Sequence, residues 1–211
     1  MPSPSTLNAF AVASILLLLI PGPAVLYVVN RSVSDGHATG FFAVCGLTLG
    51  NSVHAVAAAV GLSAVLAASA MAFNTVKWLG AGYLIYVGVR ALLTPPPPID
   101  ADQAVMAPRK AFTQGVVVNV LNPKTGLFFL SFLPQFIRPG HNAGWQALVL
   151  GLEFVALGFC TDNFYALVAS RLRNALLRGK SLPFIRRWVA GTIFIGLGLV
   201  AATASVSRSS K

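Results

Sequence analysis

From Ala38 to Val76 the chain runs 39 residues without one Asp, Glu, Lys or Arg. As a single α-helix, at 1.5 Å per residue, this stretch is about 58 Å long. The hydrocarbon core of a bilayer is about 30 Å thick. The run therefore has to cross, turn and cross back. The turn falls between Ser69 and Thr75, where small and polar residues cluster. This gives a second span over Gly40 to Leu66 and a third over Phe73 to Leu93.

The rest of the chain reads in the same way. Residues 1 to 30 carry no charge, and Leu7 to Val29 forms a first span interrupted by Pro21-Gly22-Pro23. Arg31 to His37 reads as a polar turn. A fourth span, Phe112 to Ile137, is broken at Asn122-Pro123 and again at Pro134. A fifth runs from Trp145 to Leu172 and a sixth from Trp188 to about Ser205. The expected fold is an all-α membrane protein of six transmembrane helices, with helices one and four broken. Residues 1–93 make one three-helix repeat, 112–211 a second, and 94–111 a Pro-rich cytoplasmic linker. Its four prolines, Pro95 to Pro98, favour an extended polyproline II spacer. The first ten residues hold no Lys or Arg, unlike the basic start of a cleaved signal peptide, so the first span is expected to be retained.

Charge supports a lipid-covered chain. Only 9% of residues are charged, against about 25% in soluble domains. The net charge of +10 invites a nucleic-acid partner, but the basic residues lie between apolar runs rather than along an aromatic-laced polar face. There they set orientation. Arg31, Arg90, Arg109, Lys110, Arg171, Arg173, Arg178, Lys180, Arg186 and Arg187 fall on one side of six spans. Lys77, Arg138, Arg208 and Lys211 fall on the other. The richer side is cytoplasmic, together with the central linker and the connection between spans five and six, and both termini face outward. The expected location is the bacterial cytoplasmic membrane. The expected partners are lipid and a small solute, not nucleic acid, and a homodimer is left open.

The two halves resemble each other. Lys77-Trp78 answers Arg187-Trp188, Ile85 answers Ile195 and Gly88 answers Gly198, all at an offset of 110. Gly46 to Asn51 answers Gly158 to Asn163 at 112, and Pro21-Gly22-Pro23 answers Asn122-Pro123-Lys124 at about 101. A repeat with an odd number of spans must insert its second copy upside down. Inverted repeats with paired helix breaks mark secondary transporters, whose site lies between the halves near mid-membrane.

Several residues could carry that site. Proline removes a backbone donor and clashes with the preceding turn, so each break frees peptide groups that protein, water or substrate must satisfy. One break alone reads equally well as a kink; two at matching positions point to a site. Pro21, Gly22, Pro23, Asn122 and Pro123 are therefore candidate substrate-binding positions. Lys124 has apolar sequence on both sides and is costly at mid-membrane unless it faces a cavity or partner. It can meet a carboxylate, or it can snorkel.

Asp162 and Glu153 lie nine residues apart on span five, about 900° of helix rotation, and so face opposite sides. Asp162, near Asn163 and Tyr165, is the candidate for a substrate ammonium or a coupling proton. Its alternative is a structural ion pair with Lys124. Gly46 and Gly50 form a G-x-x-x-G pair suited to close helix packing, although Gly50 is also a candidate lining position. Asn51 and His54 share a helix face. His54 could relay a proton or simply pack. No hydrolase, metal-protease, phosphate-loop or C-x-x-C motif occurs, and no cofactor is expected.

Pro21-Gly22-Pro23, Gly46 to Asn51, Lys77 to Leu84 into Gly88, Asn122-Pro123-Lys124, Phe132 to Phe136 and Asp162 to Tyr165 together resemble the lysine exporter (LysE) family, and within it the threonine/homoserine exporter (RhtB) branch. The resemblance spans nearly the whole chain. It implies export of amino acids or their derivatives across the cytoplasmic membrane, driven by the membrane gradient, with proton antiport as the usual proposal. It does not imply enzymatic activity. Two alternatives stand beside it. One is a passive channel. The other is a thiol-disulfide electron carrier using Cys45 and Cys160, which fall at nearly matching places in spans two and five but away from the proline breaks.

Overall fold

The computed structural model describes residues 2–68, 106–138 and 142–172. It also describes Trp78, Gly82, Ile85, Tyr86, Val89, Leu93 and Ile195, each of them helical. The expected third and sixth spans, the turn at Ser69 to Thr75, the prolines 95–98 and the basic connection beyond Leu172 lie outside the described residues or, for the third and sixth spans, are described only at those single positions.

Six α-helices and one 3-10 helix appear among the described residues, with no strand. They are α1 (Pro4–Leu18), α2 (Pro23–Ser34), α3 (His37–Ala68), α4 (Pro108–Val120), α5 (Pro123–Ser131), the 3-10 helix Leu133–Phe136 and α6 (Ala143–Arg171). The same order occurs twice: a broken helix, then a long unbroken one. Each of α2, α4 and α5 starts with a proline in its first turn, where the missing N–H costs nothing and the fixed φ suits a helix. The proline that stops one half-helix thus starts the next.

α1 and α2 bend by 57° at Pro21-Gly22-Pro23, and α4 bends by 44° against the segment Pro123–Phe136. The 25 residues His37–Gly61 of α3 and the 29 of α6 are long and apolar enough to cross a membrane, and each bent pair qualifies as one broken span. With each bent pair counted as one span, these make up to four of the six expected spans among the described residues.

Two boundaries differ from the expectation. Residues Arg31 to Ser34 are not a polar turn but the last turn of α2, and Arg31 is buried. Its Nη1 lies 2.9 Å from Asp35 Oδ2, and Asp35 Oδ1 accepts from the Met106 N–H at 3.0 Å. A local ion pair and a distant backbone donor satisfy the charges, so the helix extends through residues that look solvated. Likewise α4 begins at Pro108, so the last residues of the expected linker are helical.

Two apolar clusters leave a level between them. One joins Phe10, Leu17, Ile20, Ala55, Phe128, Phe132 and Phe154, with Phe10, Phe128, Phe132 and Phe136 in ring contact. The other joins Val28, Ala43, Leu47, Ala111 and Ala166. Along α3, Asn51 falls between the two. Along α6, Asp162 does. Along the first broken helix, Gly22 does. Three separate elements thus place two buried polar side chains and a buried glycine at one level.

Close approach of α3 and α4 sets that level. A Cβ on Gly46 would overlap the Phe112 carbonyl, and a Cβ on Gly115 would crowd the Ala43 carbonyl at 2.6 Å. Only hydrogen fits at these crossings, which is the close-packing use of G-x-x-x-G.

Candidate functional site

The two proline breaks meet. Lys124 Nζ donates to the Ile20 carbonyl at 2.6 Å, across 104 residues of sequence. Its side chain lies along Gly22, where an added Cβ would stand 2.9 Å from Lys124 Cδ and 3.5 Å from Nζ. Glycine at 22 is what lets the lysine stem pass. Lys124 is only 7% exposed, so it does not snorkel out of the fold.

The break in the first half leaves the carbonyl end of α1 without helical partners. Tyr165 donates its hydroxyl to the Leu19 carbonyl at 2.8 Å, and Lys124 covers Ile20. A phenol from α6 and an ammonium from α5 therefore hold the negative pole of α1. The start of α2 is bare by comparison, because Gly22 is its N-cap and offers no side-chain cap. The break in the second half is capped from within: Asn122 Oδ1 accepts from the Lys124 N–H at 3.1 Å.

Asp162 is 4% exposed, and its carboxylate accepts no hydrogen bond from the described residues. Its charge and that of Lys124 act on each other. A carboxylate in this position must find a cation or a proton. Asn163, its sequence neighbour, instead turns back to the Phe159 carbonyl at 2.8 Å. Glu153 is half-buried on another face of α6.

A chain of amides ties α3 to the second break. Asn119 Nδ2 donates to the Leu47 carbonyl at 2.6 Å and to Asn51 Oδ1 at 2.8 Å. Asn122 Nδ2 donates to Asn119 Oδ1 at 3.4 Å and to Thr125 Oγ1 at 3.2 Å. Asn51 Nδ2 in turn faces Gly158, 3.0 Å from where its Cβ would be. His54 Nε2 lies 2.9 Å from the Asn119 carbonyl, which can only accept, so Nε2 carries the hydrogen. Its ring stacks beside Phe129 at 6.2 Å.

Of the residues singled out from sequence, Gly22, Asn51, Asn122, Lys124, Asp162 and Tyr165 are brought to one level. Pro21 is half-buried at its edge. Pro23 and Pro123 are exposed; each starts a half-helix and shapes the break from outside the buried group. Gly50 is a packing residue, because Asn119 Cβ would sit 2.7 Å from its Cβ and fills that face. His54 stands one step away, bonded to the backbone of the break. Sequence reasoning passed over Asn119 and Thr125. Asn119 stands one turn before Asn122 in an apolar helix, a spacing that could have marked it. Both cysteines are free: Cys45 is half-buried on α3, and Cys160 is exposed on α6.

The family model described as LysE type translocator matches residues 15–205. Three similar proteins cover almost the full length. An uncharacterized membrane protein of Pseudomonas aeruginosa is 32% identical over 205 residues, 94% of this chain and 95% of its own. One of Vibrio cholerae serotype O1 is 31% identical over 202 residues, 93% and 96% of the two chains. The membrane protein YrhP of Bacillus subtilis is 28% identical over 204 residues, 92% and 97%. No solved structure matches the chain.

Proposed function

Because the chain belongs to the LysE type translocator family and is a membrane transporter, we propose that it exports amino acids or close derivatives across the cytoplasmic membrane by proton antiport. The observation that carries this reading is the buried contact of the two breaks through Lys124 and Ile20, with the buried carboxylate of Asp162 at the same level. An amino acid carries one ammonium and one carboxylate on a single carbon. The site offers a carboxylate and a carbonyl pole for the first, and an ammonium and an uncapped helix start for the second.

In this mechanism the two repeats rock around the fixed site and expose it to each side in turn. The central linker and the connection after α6 face the cytoplasm, where the basic residues concentrate. Asp162 receives a proton from outside when the substrate leaves and gives it up inside when the next ammonium arrives. Charge at the buried level is thereby kept paired in both directions of travel.

The test is export from proteoliposomes loaded with a mixture of amino acids and homoserine, with and without an imposed proton gradient. Gradient-dependent loss of one or a few amino acids is the expected result. Leakage that follows only the solute's own gradient would instead identify a channel.

A further inference from the structure

We propose that His54 and Tyr165 are an equivalent pair of positioning residues. Each stands on the long helix of one half and caps the carbonyl that a proline strips in the broken helix of the other half. Their consequence for transport rests on the exporter reading above; the capping itself does not.

A proline has no N–H to return to the carbonyl four residues before it. For Pro123 that carbonyl belongs to Asn119, and for Pro23 to Leu19. Both lie in apolar runs, where a bare carbonyl is costly. The structure answers both in the same way. His54 Nε2, on α3, donates to the Asn119 carbonyl at 2.9 Å, which the Asn122 N–H also reaches at 3.0 Å. The Tyr165 hydroxyl, on α6, donates to the Leu19 carbonyl at 2.8 Å. Donors and acceptors correspond across the halves. The two carbonyls are 100 residues apart, as are the two prolines. The two donors are 111 apart, within the offsets of 110 to 112 that relate the later helices of the halves.

The seat of His54 is closely fitted. An added Cβ on Gly126 of α5 would lie 3.3 Å from its Cε1, and the ring stacks beside Phe129. Imidazole can keep a hydrogen on Nε2 whether or not Nδ1 is also protonated. In this role His54 is a fixed donor rather than a proton carrier. Each cap crosses between the halves. A tilt of α3 therefore reaches the second break through His54, and a tilt of α6 reaches the first through Tyr165. In an alternating-access cycle this keeps the two bends in step.

The experiment is peptide-resolved hydrogen–deuterium exchange on the full chain in lipid nanodiscs. The variants are His54→Leu, His54→Asn, His54→Gln and Tyr165→Phe. His54→Leu is expected to speed exchange across residues 119–127 by about fivefold, the scale of one lost hydrogen bond, and to leave residues 17–26 unchanged. Tyr165→Phe is expected to do the reverse. His54→Gln, whose amide nitrogen falls where Nε2 does, should exchange as the wild type does. His54→Asn ends where Nδ1 does and should match His54→Leu. Faster exchange confined to the substituted residue's own helix, or equal at both breaks, overturns the proposal. So does a His54→Gln chain as fast as His54→Leu. If His54→Leu does not fold, His54→Asn carries the test, and a wild-type rate across 119–127 overturns the proposal. In the export assay His54→Leu and His54→Asn should lower the rate and His54→Gln restore it. Faster exchange at 119–127 with wild-type export would leave a cap that positions nothing, and also overturns it. If the wild type exports no amino acid, the exporter reading falls, and the exchange pattern still decides the caps.

Discussion

Asn119 Nδ2 lies 2.8 Å from Asn51 Oδ1, so a single side-chain amide joins the broken helix of the second half to the long helix of the first. The same amide nitrogen reaches the Leu47 carbonyl, and its oxygen receives Asn122. Replacing Asn119 with Leu leaves several buried acceptors and donors without partners. Each such loss costs on the order of 1–3 kcal/mol. Asn119→Leu should destabilise the chain by about 3 kcal/mol in denaturant titration in mixed micelles. Asn119→Asp should be at least as damaging, because it sets acceptor against acceptor at Asn51 and Leu47.

Gly46 and Gly61 make a matched pair on α3. A Cβ at Gly46 meets the Phe112 backbone, whereas at Gly61 nothing among the described residues lies within 4 Å. Gly46→Ala forces α3 and α4 apart and should cost about 1–3 kcal/mol. Gly61→Ala should be neutral or stabilise by up to about 1 kcal/mol through helix propensity. Thermal midpoints of the two variants, measured side by side, check both signs.

The Arg31–Asp35 pair is buried at the end of α2. Removing one partner strands a charge and is worth about 3–5 kcal/mol, whereas replacing both by apolar residues is far milder. Arg31→Met and Asp35→Leu should each lower stability by more than the double substitution does. A double-mutant cycle reads the difference directly, and additive losses would show that the pair is not coupled.

Asp162→Asn keeps the shape of the side chain and removes its charge and its proton. Export should drop at least about tenfold, the scale of losing a titrating group of this kind. Whatever export remains should no longer respond to an imposed proton gradient. Normal rate with normal pH dependence would assign the coupling elsewhere.

Tyr165→Phe removes only the hydroxyl that covers the Leu19 carbonyl. Stability should fall by about 1 kcal/mol. Loss of the larger share of transport with so small a change in stability would mark the hydroxyl as part of the working site rather than a cap alone.

Much of this arrangement is written locally in the chain. Uncharged runs too long for one crossing require several spans, and Pro21-Gly22-Pro23 and Asn122-Pro123 require breaks, because proline acts on its own turn. The expected second and fifth spans match α3 and α6 to within a few residues. The polar turn expected at Arg31 failed because an ion pair and the Met106 N–H, partners that local sequence does not reveal, satisfy charges that look solvated. Asn119 was missed for the same reason: one amide in an apolar helix has meaning only through what stands opposite it.

The sequence by itself determined the membrane-crossing architecture, the position of both breaks and the small set of charges deep in the apolar runs. These follow from hydrophobic length and proline stereochemistry, which need no distant partner. Only the tertiary structure decided that Lys124 lies over Gly22 on the Ile20 carbonyl, that Gly50 packs against Asn119, and that Pro23 and Pro123 face outward. Those outcomes depend on how closely α3 and α4 approach, and on which carbonyls a break leaves bare beside a side chain a hundred residues away.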